Sequence, residues 1–420
     1  EQVSPDQACD ICIINTCTVT NTAASKSRQK IHYAKRMNPN ALCVVVGCFV
    51  QFASEDERKA LDADLVIGAK QKNELVNLIQ KALKGHEKID VVNEVTQFKD
   101  FEAMPVHCFE SMHRAFLKVQ DGCNQFCSYC IIPYARGRIR SRKIENVVSE
   151  IEKISKQGIK EVVITGIHVA SYGKDFEGEN IWLINLLEEI NKIEGIERIR
   201  LSSLEPTIVD EEFAQRLSKL EKICDHFHLS LQSGCDETLK RMNRHYTSDE
   251  YFEKCELLRK YFDNPAFTTD VIVGFPGETQ EDYEISREFV KKVRFSELHV
   301  FKYSKRDGTV AAKMENQIPE PVKTERSEDL IKVGENLTME YRRKFIGKKV
   351  SVLFEEIINV AGENYWVGHT KEYIKVIMKS DKDISGDIKN VSLIGFANEC
   401  LNCENIEKKG VGKEIMLATI

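Results

Sequence analysis

The sequence predicts an α/β protein of three parts: an N-terminal doubly wound parallel α/β domain, a central partial (β/α)₆ barrel and a small all-β barrel at the C-terminal end. Three observations predict it. Apolar runs of strand length alternate with helically spaced stretches from residue 11 to residue 84. The alternation resumes near residue 114 and passes through six strand–helix units before residue 345. Beyond that, helical spacing stops and short strand patterns succeed one another between turns.

The elements follow in order. "ICIIN" (11–15) and "LCVVVG" (42–47) are near-continuous apolar runs, as in strands buried on both faces. "ADLVIG" (63–68) is a third strand, and 24–37 and 72–83 have helical spacing. Residues 1–86 thus form one domain and the polar stretch 87–113, with Pro105, a linker. The central domain, 114–345, has strands at 115–120, 161–166, 198–203, 226–231, 267–275 and 297–301. Helices are expected near 144–157, 181–194, 210–220, 247–262 and 279–293, with a last one over 322–345. Such crossovers make the sheet parallel and put chemistry at the C-terminal ends of the strands. In 346–420, "KKVSVLFEEI", "NYWVGHT", "YIKVIMK", "IKNVSLIGF" and "KEIMLATI" are five strands of a small barrel.

Composition narrows the function. A net charge of −6 does not mark the whole molecule as a nucleic-acid binder. "YARGRIRSRK" (134–143) is nonetheless a local basic run that suits phosphate or a solvated helix approach. No apolar run reaches the length of a membrane span. The opening "EQVSPDQACD" is not a signal peptide and reads as the inside of a loop, so an upstream segment is expected to be missing. Without a secretory signal, the 14 cysteines are expected to stay reduced and to bind metal or pack in cores.

Cys123, Cys127 and Cys130 stand out, in "DGCNQFCSYCIIPY" directly after the first barrel strand. Their spacing, C-x₃-C-x₂-C, lacks the distant second pair of a zinc finger. Three close thiolates without a fourth suit a [4Fe–4S] cluster with one iron open. Two other pairs, Cys9-x-x-Cys12 and Cys400-x-x-Cys403, are weaker: the first runs into a strand and the second is isolated. Cys43, Cys224, Cys235 and Cys255 suit core packing.

With its flanks, this loop resembles the radical S-adenosylmethionine enzymes. "TGIHVASYG", "LSSLEP", "LSLQSG", "DVIVGFPGET", "FKYSKRDGT", "NTCTVTNTA" and "GCFVQ" narrow the resemblance to the methylthiotransferases, and to the branch acting on threonylcarbamoyladenosine in tRNA. The resemblance covers essentially the whole chain and implies two [4Fe–4S] clusters and S-adenosylmethionine. One cluster would be held by Cys123, Cys127 and Cys130. Cys17 and Cys48 would hold an auxiliary cluster, its third ligand upstream; Cys12 and Cys108 are poor substitutes. One cofactor molecule would methylate a sulfur, and another would yield the radical that removes hydrogen from carbon 2 of the adenine, to which the methylthio group then moves. At the strand ends, Thr165, Gly166, His168, Ser203, Glu205, Gln232, Ser233 and Gly274 would hold the cofactor. Glu205 can pair with an ammonium or cap the helix near 209, while Tyr129 would shield the cluster.

Arg140, with Arg136 and Arg142, would bind a cofactor carboxylate or tRNA phosphate. The last domain looks like a TRAM barrel gripping the anticodon stem-loop, where Tyr365, Trp366 and Tyr373 can stack on bases or fill the core. An electron donor such as flavodoxin or ferredoxin, a cytoplasmic location and a monomeric state are expected. The rivals are a sister enzyme acting on isopentenyladenosine, one acting on a ribosomal-protein aspartate, and a non-catalytic RNA-binding metalloprotein.

Overall fold

The computed structural model describes residues 3–4, 7–85, 87–104, 113–360, 362–397 and 400–405. Pro105, Cys108 and the strand expected at 413–420 lie outside them.

The first domain is a parallel sheet of β1 (Ile11–Thr16), β2 (Leu42–Gly47), β3 (Leu65–Ile67) and β4 (Ile89–Val91), in that order. Between them run α1 (Asn21–Met37), α2 (Cys48–Phe52), α3 (Glu55–Lys59) and α4 (Leu75–Lys84). Ala24, Ile31 and Phe49 of α1 and α2 pack on Cys43, Val45 and Val66. Leu75, Leu78 and Ile79 of α4 pack on Val44, Val46, Leu65 and Ile67. Both faces are therefore covered, which is why these strands read as unbroken apolar runs. β4 corrects the sequence reading, which assigned its residues to the linker. Its three residues are too short a run for a period to show.

The central domain contains β5 (Arg114–Asp121), α5 (Ile132–Arg136), β6 (Arg140–Ser141), α6 (Ile144–Ser155), β7 (Glu161–Gly166), α7 (Leu183–Asn191), β8 (Arg198–Leu201) and α8 (Glu211–Ser218). It continues through β9 (His226–His228), α9 (Asp236–Arg241), α10 (Ser248–Tyr261), β10 (Ala266–Val273), α11 (Gln280–Val293), β11 (Glu297–Lys302) and α12 (Glu320–Arg343). The strands form two sheets, β6-β5-β7-β8 and β11-β10-β9. Single parallel bridges, Ile199–Ile223 and Leu204–Leu229, join them into one partial barrel. The six anticipated strands pair in parallel, and β6 is a short antiparallel addition beside β5.

Alternation along these strands sorts side chains between two faces. Leu117, Ile164, Ile199, Phe227, Phe267 and Val271 join the core beneath the helices. Their neighbours, among them Lys118, Thr165, Arg200, His228 and Asp270, therefore face the lumen.

The last domain is a closed barrel of β12 (Lys349–Val360), β13 (Glu363–Thr370), β14 (Lys375–Met378), β15 (Ile388–Ala397) and β16 (Cys400–Asn405), in the order β12-β13-β14-β16-β15. It has the expected five strands, but the fifth is Cys400–Asn405. That placement ends the zinc reading of Cys400 and Cys403: three apart on a strand, they face opposite sides, Cys403 in the barrel core and Cys400 against Val367 and Ile377. Trp366 also fills the core and is no base platform.

This barrel docks on the N-terminal ends of the central strands. Arg198, first in β8, donates to the carbonyls of His369 (2.9 Å) and Ser351 (2.8 Å). Arg200 reaches Lys371 O at 3.0 Å and Glu161 at 2.8 Å, and Arg114 pairs with Glu355 at 2.6 Å. Tyr373 stacks on His369 (4.6 Å) under the Arg200 guanidinium (4.7 Å). Its ring contributes to the seam while the residue stays exposed to solvent.

Candidate active site

The cysteine loop is shaped by backbone first. Gly122 has φ +73°, and a Cβ there would lie 1.9 Å from Arg138 O. Only glycine allows that crossing. Cys123 N then donates to Gly137 O at 3.0 Å, and Gln120 Nε2 donates to the carbonyls of Asp121 (2.9 Å) and Gly122 (2.7 Å). Farther along, Ser128 N and Oγ bond to Met242 O and Arg241 O, and Asn243 Nδ2 donates to Phe126 O at 3.1 Å. The turn after α9 thus clamps the loop from the opposite sheet.

Cys123 and Cys127 are buried and Cys130 is half-buried. Burial pushes the Cys123 thiol up and that of Cys130 to about 12. Such thiols ionise when a bound cation compensates them. Among the described residues no three His, Cys, Asp or Glu side chains gather around a single ion. The three loop thiols lie near enough to feel one another's charge. Three soft thiol donors on one loop at the end of a strand are a set that fits a [4Fe–4S] group with one iron open.

A buried polar network lies beside them. Arg244 donates from Nη1 to Cys127 Sγ (3.3 Å) and from Nη2 to Glu205 Oε2 (2.7 Å). Its Nε donates to Tyr246 OH, which in turn donates to Leu231 O. Glu205 also meets His168 Nε2 at 3.5 Å. Burial alone would raise the Glu205 pKa, but the bonds from His168 and Arg244 outweigh it and hold the carboxyl below its usual range. Glu205 caps no helix; Asp210 does that for α8, accepting from Phe213 N at 2.8 Å. Sequence reasoning named Glu205 and His168 but missed Arg244.

The remaining expected residues are distributed along the same rim. Thr165 and Gly166 end β7, and Gly166 leaves room for Gln120, whose Oε1 accepts from His168 N at 2.7 Å. Gln232 takes φ +69° and bridges to Val271, with Ser233 buried beside it. Ser203 is exposed one residue before Leu204. Tyr129 meets Phe275 edge-on at 6.4 Å. Gly274 makes room for Lys323, whose Cγ would lie 2.3 Å from a Cβ. Arg140 spends its guanidinium on Arg138 O and Arg136 O, 3.6 Å from Asp121, and so faces the loop backbone. Arg142 likewise pairs with Glu150.

The first domain brings its own cysteines to this loop. Thr16 and Gly47 pair in register, so Cys17 and Cys48, the next residues, leave one sheet edge side by side. Arg136 Nε donates to Cys48 Sγ at 3.0 Å while its Nη1 stands 3.6 Å from Asp121. Arg306, after β11, bonds Thr18 and Asn21. Gly308 makes room for Phe52 of α2. The Arg136 and Arg306 contacts were missed from sequence. Cys12 pairs in register with Cys43, and its Sγ lies 3.0 Å from that of Cys9.

Residues 117–290 match the family model of the radical SAM superfamily, and residues 1–68 that of uncharacterized protein family UPF0004. Over 391 residues the chain is 39% identical to the threonylcarbamoyladenosine tRNA methylthiotransferase MtaB of Bacillus subtilis (strain 168), covering 93% of this chain and 86% of that protein. It is 40% identical to the protein of the same name from Aquifex aeolicus (strain VF5), covering 87% and 88%. A tRNA-2-methylthio-N(6)-dimethylallyladenosine synthase of Clostridium botulinum (strain Hall) is 36% identical, covering 94% and 89%. In fold, the chain is similar to the radical S-adenosylmethionine methyltransferase TsrM from Kitasatospora setae, solved with cobalamin and a [4Fe-4S] cluster. The TM-score is 0.55 at 16% identity, over 71% of this chain and 64% of that one, so just under two thirds of that structure is spanned.

Proposed function

The chain belongs to the tRNA methylthiotransferase family of radical S-adenosylmethionine enzymes, and on that premise we infer that it adds a methylthio group to carbon 2 of N6-threonylcarbamoyladenosine next to the tRNA anticodon. The observation that carries this reading is the three-cysteine loop at the C-terminal end of β5, with the Cys17/Cys48 edge of the first domain docked against it.

A [4Fe–4S] cluster with S-adenosylmethionine at its open iron supplies, when bound, one-electron cleavage of a carbon–sulfur bond and a radical that takes hydrogen from carbon 2. The chain does the rest. Cys123, Cys127 and Cys130 would hold the cluster, and Arg244 orients Cys127 by donating to its Sγ. Glu205, kept ionised, accepts a hydrogen bond from the cofactor's ammonium or ribose, with Gln232 and Ser233 on the facing rim. The C-terminal barrel docks on the N-terminal ends of the central strands and so narrows solvent access from that side. Cys17 and Cys48 are two ligands of a second [4Fe–4S] cluster. Two thiols do not by themselves complete such a site. Flavodoxin or ferredoxin supplies electrons in the cytoplasm. Among the described residues no helix is long and apolar enough to cross a membrane.

Mass spectrometry of tRNA nucleosides from cells with and without the gene tests the reading. Methylthiolated threonylcarbamoyladenosine should vanish with the gene. If methylthiolated isopentenyladenosine vanishes in its place, the substrate is the sister one.

A further inference from the structure

The lumen beneath the cysteine loop carries apolar side chains such as Phe116 and Phe301, and beside them a polar group on β8 to β11. Buried polar atoms are nearly always hydrogen-bonded. Here Ser202 Oγ, His226 Nδ1 and His228 Nε2 are buried without a hydrogen-bond partner. All three stand on the lumen-facing alternation of β8, its extension and β9, since Leu201 and Phe227 between them belong to the outer core. Three orphaned atoms on one wall point to a ligand that pairs with them.

On the adjoining strands of the same wall, β10 and β11, the neighbours are of the same kind. His228 Nδ1 lies 3.0 Å from Thr268 Oγ1, and its Nε2 lies 3.5 Å from Asp270 Oδ2, outside hydrogen-bonding geometry. His299, in register with Asp270, stacks on His228 at 5.8 Å and 21°. Asp270 O accepts from Gln232 N at 2.9 Å, so this group sits directly beneath the rim that faces the cysteine loop. Below it the Tyr373 ring lies 5.3 Å from the His226 ring. The result is a polar wall, open on the β11 side where His299 is exposed, that offers imidazole N–H donors, a hydroxyl and one carboxylate acceptor.

We propose that His228, His299 and Asp270, with Ser202, form the subsite that reads the substituent on N6 of the target adenosine, and that this substituent is polar: a urea bearing a hydroxyl and a carboxylate. This rests on the methylthiotransferase reading and deepens it. A threonylcarbamoyl group supplies acceptors for the imidazoles and N–H and O–H donors for Asp270. A dimethylallyl group satisfies none of these atoms, and a site built to hydrogen-bond penalises the analogue that cannot.

The test is fluorescence anisotropy of the full-length, iron-reconstituted protein. The probes are anticodon stem-loop RNAs carrying threonylcarbamoyladenosine, dimethylallyladenosine or plain adenosine at one position. The wild type should bind the first about tenfold more tightly than the second, the worth of one buried hydrogen bond. His299→Ala, Asp270→Asn and His228→Leu should each erase that preference by weakening the first RNA alone. His299 is exposed, so its variant keeps the test alive if His228→Leu misfolds. A wild type that binds both RNAs alike, or variants that keep the preference with a native circular dichroism spectrum, overturns the subsite. Product assays on the wild type separate the two claims. If methylthiolated threonylcarbamoyladenosine forms while the variants still discriminate, the function stands and the subsite falls. If no methylthiolated nucleoside forms, the function falls with it.

Discussion

Arg244 bears on the reaction through two bonds. Its N–H donates to Cys127 Sγ at 3.3 Å, and hydrogen bonds to cluster sulfurs raise the reduction potential by easing the added negative charge. Arg244→Gln should therefore lower the midpoint potential of the cluster by on the order of tens of millivolts, with Arg244→Lys partly restoring it. An EPR-monitored redox titration at unchanged iron content reads this, and an unmoved potential would sink the role. Cys123, Cys127 and Cys130 were legible in the sequence because a cluster's ligands sit on one short loop. Arg244 was not, because it lies 117 residues from Cys127 and meets it only once β9 and β5 close the same barrel. Glu205 was legible for its place after a strand, while its partners needed the fold. Arg140 looked like a free basic side chain, but its guanidinium holds loop carbonyls, a contact no spacing rule reveals.

At the scale of elements, the loop after β5 works because one residue can cross the backbone of another. Gly122→Ala puts a methyl 1.9 Å from Arg138 O at φ +73°, so the loop must open. Cluster uptake, read as iron per chain, should collapse while the circular dichroism of the barrel persists. Gly158→Ala is the matched control: φ is +86° but nothing lies within 4 Å, so it should cost only about 1 kcal/mol and leave uptake intact. A Gly122→Ala protein that loads normally would show that the crossing is dispensable. The edge formed by β1 and β2 makes a second prediction. If Cys17 and Cys48 carry a cluster, the triple variant Cys123→Ala, Cys127→Ala, Cys130→Ala should still bind iron and sulfide, and adding Cys48→Ala should abolish it. The strands of that edge were legible as apolar runs. β4 was hidden because three residues show no period, and β16 because Cys400–Asn405 carries a single long aliphatic side chain, Leu401, among polar and small ones.

At the scale of the whole molecule, the seam between the partial barrel and the C-terminal barrel is ionic, and its charges oppose one another in their pH dependence. Burial works against the Glu161 and Glu355 carboxylates. Arg200, Arg198 and Arg114 around the first, and His369 and Arg114 around the second, outweigh it and hold both below their usual range. Groups depressed in this way contribute fully above their unfolded value near roughly pH 4.3, and the contribution is lost as pH falls through the folded values. Asp225 acts in the other direction. Burial, with Glu372 beside it, raises its carboxyl to about 6. Its ionised form therefore destabilises the fold above that pH, and the penalty is relieved as pH falls from about 6 toward roughly 4. Asp225→Asn should raise stability at pH 8 by on the order of 1–2 kcal/mol, after allowing for water on its partly open side. The gain should shrink through pH 6 and be gone near roughly pH 4, where protonated aspartate and asparagine are alike. Thermal melts across that range decide it: a gain that is flat with pH would mean that ionisation of Asp225 does not set the seam's stability.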